Sequence, residues 1–312
     1  MLVVTGGAGF IGSHVAEIAL SRGERVIAVD DLSSGDPRNV PRGAQLVVAD
    51  VTRPEQLGRV IELARGEEVA IAHLAAVAGV VEASRSPARA LEVNVVGTAN
   101  VLELARRLDA YLALASSAAV YGEPSELPLK ESSPTRPVSL YGVSKLAAEQ
   151  VAFSLAAEHG IRASALRLFN VYGPRMKPGP YASVVYNFLT AALRCEAPVI
   201  YGDGSATRDF VFVVDVAEAF LRAAERRATG VFNVGTGRET SVTELLDLVS
   251  RVTGIRLEPR RAPPRPGDIG RSVADVRLAR EALGWSPSVS LEEGLRRTYE
   301  WLRTLTPSTR TC

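Results

Sequence analysis

The sequence predicts an α/β protein in which a doubly wound parallel sheet is joined to a smaller α/β substrate-binding domain. Short apolar segments alternate with helical stretches through the first half of the chain, from a strand at 2–5 to one at 162–169. Strands that are separated by helical crossovers form a parallel sheet with helices on both faces. From Gly173 prolines and glycines cluster, which is typical of a domain boundary or of a loop over a site. Two domains are therefore expected, 1–173 and 174–312, with segments near 209–240 returning to the first.

The individual elements follow from hydrophobic periodicity and from the turn residues between apolar segments. In the first half, strands are expected at 2–5, 25–30, 45–50, 69–74, 111–116 and 162–169, and helices at 9–21, 54–65, 90–108 and 141–159. In the second half, helices are expected at 183–194, 215–227, 242–253, 276–283 and 291–302, and strands at 199–201, 210–213 and 230–234. The spacing of Ser241 and Glu244 is typical of a capping box at a helix start.

Composition excludes several classes of protein. The 312 residues carry a formal net charge of +1, which provides no electrostatic footprint for nucleic acid or for an acidic membrane surface. No segment approaches the roughly 18 apolar residues of a membrane span. The first residues already form a strand without the regions of a signal peptide, so a cytoplasmic enzyme is expected. Three scattered histidines and two cysteines have no metal-ligand spacing, so no metal site is expected.

A glycine loop follows the first strand and opens the first helix. Gly6, Gly9 and Gly12 have a G-x-x-G-x-x-G spacing, which permits a tight turn and a close approach of the backbone to a pyrophosphate. Asp30 ends the next strand, where an acid accepts hydrogen bonds from an adenosine ribose and repels a 2′-phosphate. The pattern predicts a Rossmann-type site for NAD rather than NADP. The loop alone would also suit a structural strand–helix turn, and Asp30-Asp31 a plain turn.

Tyr141 and Lys145 lie four residues apart at the start of a predicted helix, so their side chains share one face. A free tyrosine has a pKa near ~10, which is too high for a base at neutral pH. A cation about 6 Å away favours the phenolate by about 3 kcal/mol at an effective dielectric of roughly 20. Lys145 would be one such cation and an oxidised cofactor the second, which predicts a phenolate base. Two helix-surface residues would have the same spacing.

A set of motifs extends along nearly the whole chain. These are TGGAGFIG (5–12), HLAA (73–76), Asn94 with Gly97-Thr98, SSAAVYG (116–122), YGVSK (141–145), RLFNVYGP (167–174) and RDFVFVVD (208–215). Their order resembles that of extended short-chain dehydrogenases/reductases, and within that family the chain resembles the UDP-glucose (UDP-galactose) 4-epimerases. The resemblance implies NAD as cofactor, a UDP-sugar as substrate, an NAD-binding domain at 1–173 and a nucleotide-sugar-binding domain at 174–312.

The resemblance also implies the site residues by motif position. A catalytic trio is expected at Ser117, Tyr141 and Lys145. The glycine pattern and the resemblance together assign to the cofactor Gly6, Gly9, Phe10, Ile11, Gly12, Asp30, Asp31, Ser33, Ser34, Gly35, Asp50, Val51, Leu74, Ala75, Ala76, Asn94, Ser116, Tyr141, Lys145 and Phe169. The residues expected at the nucleotide sugar are Ser117, Tyr141, Asn170, Val184, Tyr201, Arg208, Arg265 and Asp268.

Structural alternatives remain at six of these positions. A surface ion pair with the neighbouring Asp209 would also explain Arg208. Arg265 would be solvated in its proline-rich loop, Tyr201 would belong to the core, and Asp50 would be an ordinary loop aspartate. The pair Ser116-Ser117 would merely end a strand.

The two residues after Ser117 bear on the reaction. In the family that the chain resembles, 4,6-dehydratases carry an Asp-Glu pair there and UDP-xylose-forming decarboxylases a glutamate close by, whereas this chain has Ala118-Ala119. Without a second acid or base beside Ser117, the site is expected to oxidise a carbinol and reduce it back, without eliminating water. The resemblance therefore implies interconversion of UDP-glucose and UDP-galactose through a 4-keto intermediate, with Tyr141 as base.

Two departures from the bacterial galactose epimerases leave the sugar open. Ala78 replaces their lysine and Ala119 their usual threonine, while Ser272 falls where a small residue leaves room for an N-acetyl group. The alternatives are 4-epimerisation of UDP-GlcNAc or UDP-glucuronate, a nucleotide-sugar oxidoreductase, and a non-catalytic NAD-binding module. The family's matching helices form a four-helix dimer interface, so helices 90–108 and 141–159 imply a homodimer, unless the chain's own elements cover them.

Overall fold

The chain folds around a seven-stranded parallel sheet in a computed structural model that describes residues 1–177, 183–264 and 269–305. The strands are β1 Leu2–Thr5, β2 Val26–Asp30, β3 Gln45–Val48, β4 Ala70–His73, β5 Tyr111–Ser117, β6 Ala163–Leu168, β7 Asn170–Tyr172, β8 Val199–Tyr201, β9 Thr207–Arg208, β10 Phe210–Phe212, β11 Gly230–Val234, β12 Thr240–Ser241 and β13 Arg260–Ala262. The sheet has the order β11-β6-β5-β4-β1-β2-β3, and every neighbouring pair is parallel. The predicted doubly wound α/β sheet is confirmed, with its switch point between β1 and β4.

Helices cover both faces of this sheet. The α-helices are α1 Phe10–Ser21, α2 Gly58–Ala64, α3 Val80–Arg85, α4 Pro87–Leu91, α5 Gly97–Arg107, α6 Leu140–His159, α7 Val184–Arg194, α8 Val213–Arg226, α9 Val242–Thr253, α10 Arg277–Leu283 and α11 Leu291–Leu305. One core joins the sheet to α1 and α8 through residues such as Val15 and Phe220, and the other joins it to α2, α5 and α6 through Val60, Leu102 and Ala152. Because both faces are covered, β1 and β2 are buried along their whole length.

The second half of the chain builds its own core and also returns to the sheet. Phe188 of α7, Ile200 of β8 and Leu245 of α9 pack in a separate cluster. Strand β11 lies at the edge of the large sheet, beside β6, and α8 packs on α1. The division at residue 173 stays a prediction, since the two parts share these elements.

One predicted helix is interrupted. The expected helix 90–108 consists of α4, a π-helical turn at Glu92–Val96, and α5. Asn94 lies in this turn, and its side chain forms hydrogen bonds with Val77 and Ser144, which lie outside the helix. These bonds favour the wider π-helical geometry, which is frequent at functional sites. The expected helix 54–65 begins as a 3₁₀ turn at Pro54–Leu57.

Short elements account for the other differences. Sequence periodicity missed β7, β9, β12, β13 and α3, because strands of two or three residues are too short to show alternation. The capping box is confirmed: Ser241 Oγ accepts from the Glu244 N–H at 3.1 Å, and the Glu244 carboxylate accepts from the Ser241 N–H at 2.7 Å.

Residues 1–177, 183–264 and 269–305 contain neither a membrane-spanning helix nor a cluster of metal ligands. None of the helices described there combines the length and apolarity that crossing a membrane requires. The same residues contain no group of three or more histidine, cysteine, aspartate or glutamate side chains arranged to hold a metal ion.

Candidate active site

The glycine loop turns tightly where β1 meets α1. Gly6 has φ +69°, and a Cβ there would lie 2.8 Å from the Ala75 nitrogen. A Cβ on Gly12 would lie 2.1 Å from the Gly6 carbonyl oxygen. Both positions therefore require glycine. Gly9 caps α1 without any side-chain hydrogen bond, so the first N–H groups of the helix are left for an anion at this edge of the sheet.

Asp30 lies beside this loop at the end of β2 and is only 7% exposed. Its Oδ2 accepts from the Ala8 N–H at 3.0 Å, and its Oδ1 accepts from the Leu32 N–H at 2.9 Å. Each carboxylate oxygen retains a second lone pair for a hydroxyl donor. Gly35 approaches so closely that a Cβ there would lie 2.5 Å from Asp30 Oδ1. The carboxylate is thus held in one orientation by the backbone on either side of it.

An arginine that sequence reasoning missed lies at this end of the site. Arg89 of α4 donates to Asp50 Oδ2 at 2.7 Å and has a guanidinium nitrogen 3.5 Å from Asp31 Oδ2. Burial raises the pKa of Asp50, but hydrogen bonds from Thr52 and Arg89 outweigh it and hold that pKa below its usual range. Asp50 is therefore a bound member of a charged cluster rather than an ordinary loop aspartate. Arg89 lies near Asp31 and Asp50 only because of the fold, and no motif marks it.

Asn94 joins the π-helical turn to two neighbouring segments. Its Oδ1 accepts from the Val77 N–H at 2.8 Å, and its Nδ2 donates to the Val77 carbonyl at 3.1 Å and to Ser144 Oγ at 2.9 Å. The side chain is 2% exposed. Asn94 thereby fixes the segment after β4 against the start of α6.

The remaining residues assigned to the cofactor lie along one edge of the sheet, where the parallel strands β1 to β6 end. Phe10 and Ile11 form the first turn of α1, and Ser33 and Ser34 belong to the loop over Asp30. The others lie at the carboxyl ends of β3, β4, β5 and β6, where Ser116 is the penultimate residue of β5 and the rest follow their strands: Val51, Leu74, Ala75, Ala76, Ser116 and Phe169. Such an edge is where ligands bind in doubly wound sheets.

Ser117, Tyr141 and Lys145 come together above β5. Ser117 ends β5, and Tyr141 lies in the first turn of α6, which begins because Ser139 Oγ accepts from the Gly142 N–H at 3.2 Å. The Ser117 side chain lies close enough to the Tyr141 phenol to influence its pKa. Lys145 is 5% exposed, and its Nζ donates to the Ala115 carbonyl at 2.9 Å.

Burial dominates the electrostatics of the trio in the chain without its cofactor. It raises the pKa of Tyr141, and the neighbouring Ser117 opposes that rise only in part. Burial lowers the pKa of Lys145 to about 8, while the charge of Glu149 opposes the fall. The expectation of a phenolate stabilised by Lys145 together with an oxidised cofactor stays a prediction. An additional positive charge is needed to stabilise the phenolate.

Four residues expected at the nucleotide sugar come from four separate elements. Asn170 of β7 is exposed, Val184 begins α7, Tyr201 of β8 is 42% exposed and Arg208 belongs to β9. The exposure of Tyr201 excludes the core alternative. Arg265 and Asp268 lie outside the described residues.

Asp209 does not form the surface ion pair that would have explained Arg208. Its carboxylate is 0% exposed and accepts from the backbone N–H groups of Thr236, Gly237 and Ala274 at 2.7, 2.9 and 3.1 Å. Asp209 is thus a structural junction inside the protein. Arg208, on the other side of the strand, donates to the Thr207 carbonyl at 2.8 Å.

The geometry and the family comparison agree. Residues 2–235 match the sequence model of the NAD dependent epimerase/dehydratase family. The chain belongs to the NAD-dependent epimerase/dehydratase family. This confirms the resemblance read from the motifs and the cofactor inferred from the glycine loop: NAD is the cofactor, and the loop that admits only glycine, with Asp30 beside it, fits that group.

Solved structures resemble this epimerase/dehydratase-family chain over almost its whole length. A UDP-glucose 4-epimerase from Thermotoga maritima, solved with UDP-glucose, is 40% identical, with a TM-score of 0.92 over 97% of this chain and 99% of that one. One from Thermus thermophilus, in complex with NAD, is 38% identical with a TM-score of 0.90, covering 98% and 99%. A UDP-N-acetylglucosamine 4-epimerase from Methanobrevibacter ruminantium, in complex with UDP-N-acetylmuramic acid, is 33% identical with a TM-score of 0.92, covering 98% of each chain.

Proposed function

We propose that the chain is an NAD-dependent 4-epimerase that interconverts UDP-glucose and UDP-galactose. The observation that carries this proposal is the convergence of Ser117 and Tyr141 at the edge of the sheet that carries the glycine loop, with Lys145 buried one helical turn behind. The 3₁₀ turn that follows, Ala118–Val120, brings only apolar side chains to this place. Such a site can move one proton at a carbinol, and the Ala118–Val120 turn adds no acid of the kind that elimination requires.

In the proposed reaction, Tyr141 removes the proton from the sugar 4-hydroxyl while Ser117 holds the same oxygen by a hydrogen bond. Bound NAD supplies reversible two-electron oxidation at the sugar carbon and the positive charge that offsets the burial of the phenolate. Lys145, with a pKa of about 8, is protonated at neutral pH and adds its charge. The 4-keto sugar then presents its other face, and Tyr141 returns the proton.

The UDP part of the substrate would stay bound while the 4-keto sugar reorients. Arg208 is the described arginine assigned to the diphosphate, because a guanidinium matches the geometry of phosphate oxygens. Exposed Asn170 and Tyr201 offer an amide and an aromatic face to the rest of the nucleotide sugar. This division of labour would let the sugar rotate while the UDP remains in place.

The test is Tyr141→Phe, which keeps the ring and removes the proton-transferring hydroxyl. Turnover of UDP-galactose to UDP-glucose should fall at least ~10²-fold, while the amount of NAD that copurifies should not change. The matched control is Tyr186→Phe on α7, outside the site, which should retain wild-type turnover. Turnover of the Tyr141→Phe variant above a few per cent of wild type would falsify the assignment.

A second substrate is favoured by a specific observation. Ser272 is small and 8% exposed, and one similar solved structure is a UDP-N-acetylglucosamine 4-epimerase. An assay panel of UDP-glucose, UDP-GlcNAc and UDP-glucuronate separates these substrates by rate. Growth of absorbance at 340 nm with added free NAD⁺ would instead indicate a net oxidoreductase. Retention of NAD without conversion of any sugar would favour a non-catalytic module.

We also propose that the chain forms a homodimer through α5 and α6. The supporting observation is a set of exposed apolar side chains on α6 and on the segments packed against it before α5: Val80 in α3, Leu91 in α4, Val96 in the π-helical turn and Val143 in α6, at 49%, 40%, 50% and 43%. Monomers rarely leave a contiguous apolar patch open to water. Light scattering coupled to size exclusion should give twice the chain mass, and Val143→Glu should halve it.

A further inference from the structure

A buried ion pair lies directly behind the candidate trio. Glu149 of α6 and Arg167 of β6 have side chains only 3% and 6% exposed. The contact is two-pronged, since Arg167 Nε donates to Glu149 Oε1 at 2.9 Å and Arg167 Nη2 donates to Oε2 at 2.7 Å. Burying two charges is costly unless their remaining hydrogen-bonding capacity is also satisfied. A pair in this location therefore requires an explanation beyond packing.

The surrounding groups complete the hydrogen bonding of the pair. Ser116 Oγ donates to the same Glu149 oxygen that accepts from Arg167. Arg167 Nη1 donates to the Glu131 carbonyl at 3.0 Å, and its guanidinium carbon lies 4.8 Å from the centroid of the Tyr121 ring. The carboxylate of Glu149 is consequently fixed between a strand end and a helix.

Glu149 reaches the trio by two routes. Along α6, positions 141, 145 and 149 are spaced by four residues, so Tyr141, Lys145 and Glu149 share one helix face. Across to β5, Glu149 holds Ser116, which directly precedes Ser117, while Lys145 holds the Ala115 carbonyl at 2.9 Å. Lys145 and Glu149 thus bind two consecutive residues, Ala115 and Ser116, of the strand that ends at Ser117.

We propose that Glu149, fixed by Arg167, is a positioning residue of this enzyme: it anchors the end of β5 to α6 and supplies the negative charge that keeps Lys145 protonated. The first role fixes the position of Ser117, and the second maintains the positive charge of Lys145 beside Tyr141. The catalytic consequence rests on the proposed function, whereas the charge relation between Glu149 and Lys145 does not.

The charged and titratable groups that face Lys145 support this assignment. They are Tyr141 and Glu149 on α6, His73 on β4, and Arg167 on β6 behind Glu149. Burial and the Lys145 charge lower the pKa of His73 to about 3, so His73 is neutral and adds no charge at neutral pH. In the chain without NAD, Tyr141 is likewise neutral because burial raises its pKa. Glu149 is then the anion of this set that opposes deprotonation of Lys145.

The chain offers a direct measurement, because its only lysines are Lys130, Lys145 and Lys177. Protein labelled with ¹³Cε-lysine should have three lysine signals, and Lys145→Arg identifies the one of interest. In the NAD-loaded wild-type enzyme and in Glu149→Gln, the chemical shift is followed against pH. Glu149→Gln should lower the pKa of Lys145 by about one unit, since a buried amine that loses its counter-charge is easier to deprotonate.

The matched control is Glu158→Gln, the same substitution at an exposed position on the same helix. This variant should leave all three lysine titrations unchanged. Glu149→Asp, which keeps the charge, should restore the Lys145 pKa towards wild type. Turnover is also assayed against pH, with the sugar that wild type converts. In Glu149→Gln, the alkaline fall in activity should shift to lower pH by as much as the Lys145 pKa measured by NMR.

Because Glu149→Gln leaves a buried guanidinium unpaired, the double variant Glu149→Gln/Arg167→Gln provides a second route to the measurement. It removes both charges, so the Lys145 pKa should fall less than in Glu149→Gln, because loss of the nearby guanidinium charge offsets part of the loss of the carboxylate. An unchanged Lys145 pKa in folded Glu149→Gln would overturn the proposal, even if stability had dropped, since a purely structural pair affects stability alone. If wild type converted no UDP-sugar, the proposed function would fail while the NMR titration would still decide the charge relation.

Discussion

The two ends of the site are built in different ways. At the cofactor end, Gly6 and Gly12 belong to one loop. Backbone atoms approach both residues so closely that there is no room for a Cβ, and this close packing gives the site its shape. At the proposed sugar-nucleotide end, the assigned residues Asn170, Tyr201 and Arg208 come from three different strands and would contribute side chains. A site made of backbone can be recognised from consecutive residues, whereas a site made of side chains depends on how distant segments are folded together. This is why the cofactor could be identified with more detail than the sugar.

The largest effect is expected from a change in the backbone-built end. Gly12→Ala places a Cβ 2.1 Å from the Gly6 carbonyl oxygen, so the loop must move. The free energy of unfolding should fall by about 3 kcal/mol, and NAD binding measured by calorimetry should be lost. The matched control is Gly58→Ala, where nothing lies within 4 Å of the added Cβ. Equal behaviour of the two variants would contradict the contrast drawn between the two ends.

An intermediate effect is expected at acid pH from two buried histidines. His73 lies within the sheet region between Thr5 and Thr98, whereas His14 links α1 to the second half through the Pro174 carbonyl at 3.0 Å. Burial lowers the pKa of His14 to about 4, and burial with the Lys145 charge lowers that of His73 to about 3, from 6.5.

The direction of the pH effect follows from proton counts. Below pH 6.5 the unfolded chain binds protons that the folded histidines reject, so stability is lost as the pH falls towards the folded values. At pH 5 each histidine should cost about 2 kcal/mol. The free energy of unfolding, measured with urea, should therefore fall less between pH 7 and pH 5 in His73→Asn and in His14→Gln than in wild type. A loss that matches wild type in both variants would show that the histidines are not the acid-sensitive groups.

The smallest effect is expected at the side-chain-built end. Arg208→Lys keeps the charge but loses the planar fork that suits phosphate. The KM for the UDP-sugar should rise about tenfold, equivalent to about 1.4 kcal/mol, with NAD retention unchanged. Arg256→Ala, at a side chain that is 90% exposed, is the control and should leave KM unaltered. A loss of NAD in Arg208→Lys would mean that the two ends are not separable.

Several parts of the candidate site could not have been read from the sequence. Arg89 joins the residues assigned to the cofactor only because α4 places it beside Asp31 and Asp50. No motif in the surrounding sequence marks it. Glu149 lies within a predicted helix and Arg167 opens the RLFNVYGP motif, but neither position indicates the other as its partner. Their pairing is a long-range contact, so local patterns contain no signal for it.

The sequence by itself determined the doubly wound sheet, the glycine loop, the acid after β2 and hence NAD as cofactor. These features are local, since periodicity and glycine-only conformations are properties of consecutive residues. Only the tertiary structure decided the electrostatics of the Ser117–Tyr141–Lys145 trio. The spacing of Tyr141 and Lys145 predicted a lowered tyrosine pKa once a cofactor adds a second positive charge; in the chain without the cofactor, burial raises the tyrosine pKa and lowers that of Lys145. A pKa depends on desolvation and on every nearby charge, and those are set by groups far apart along the chain.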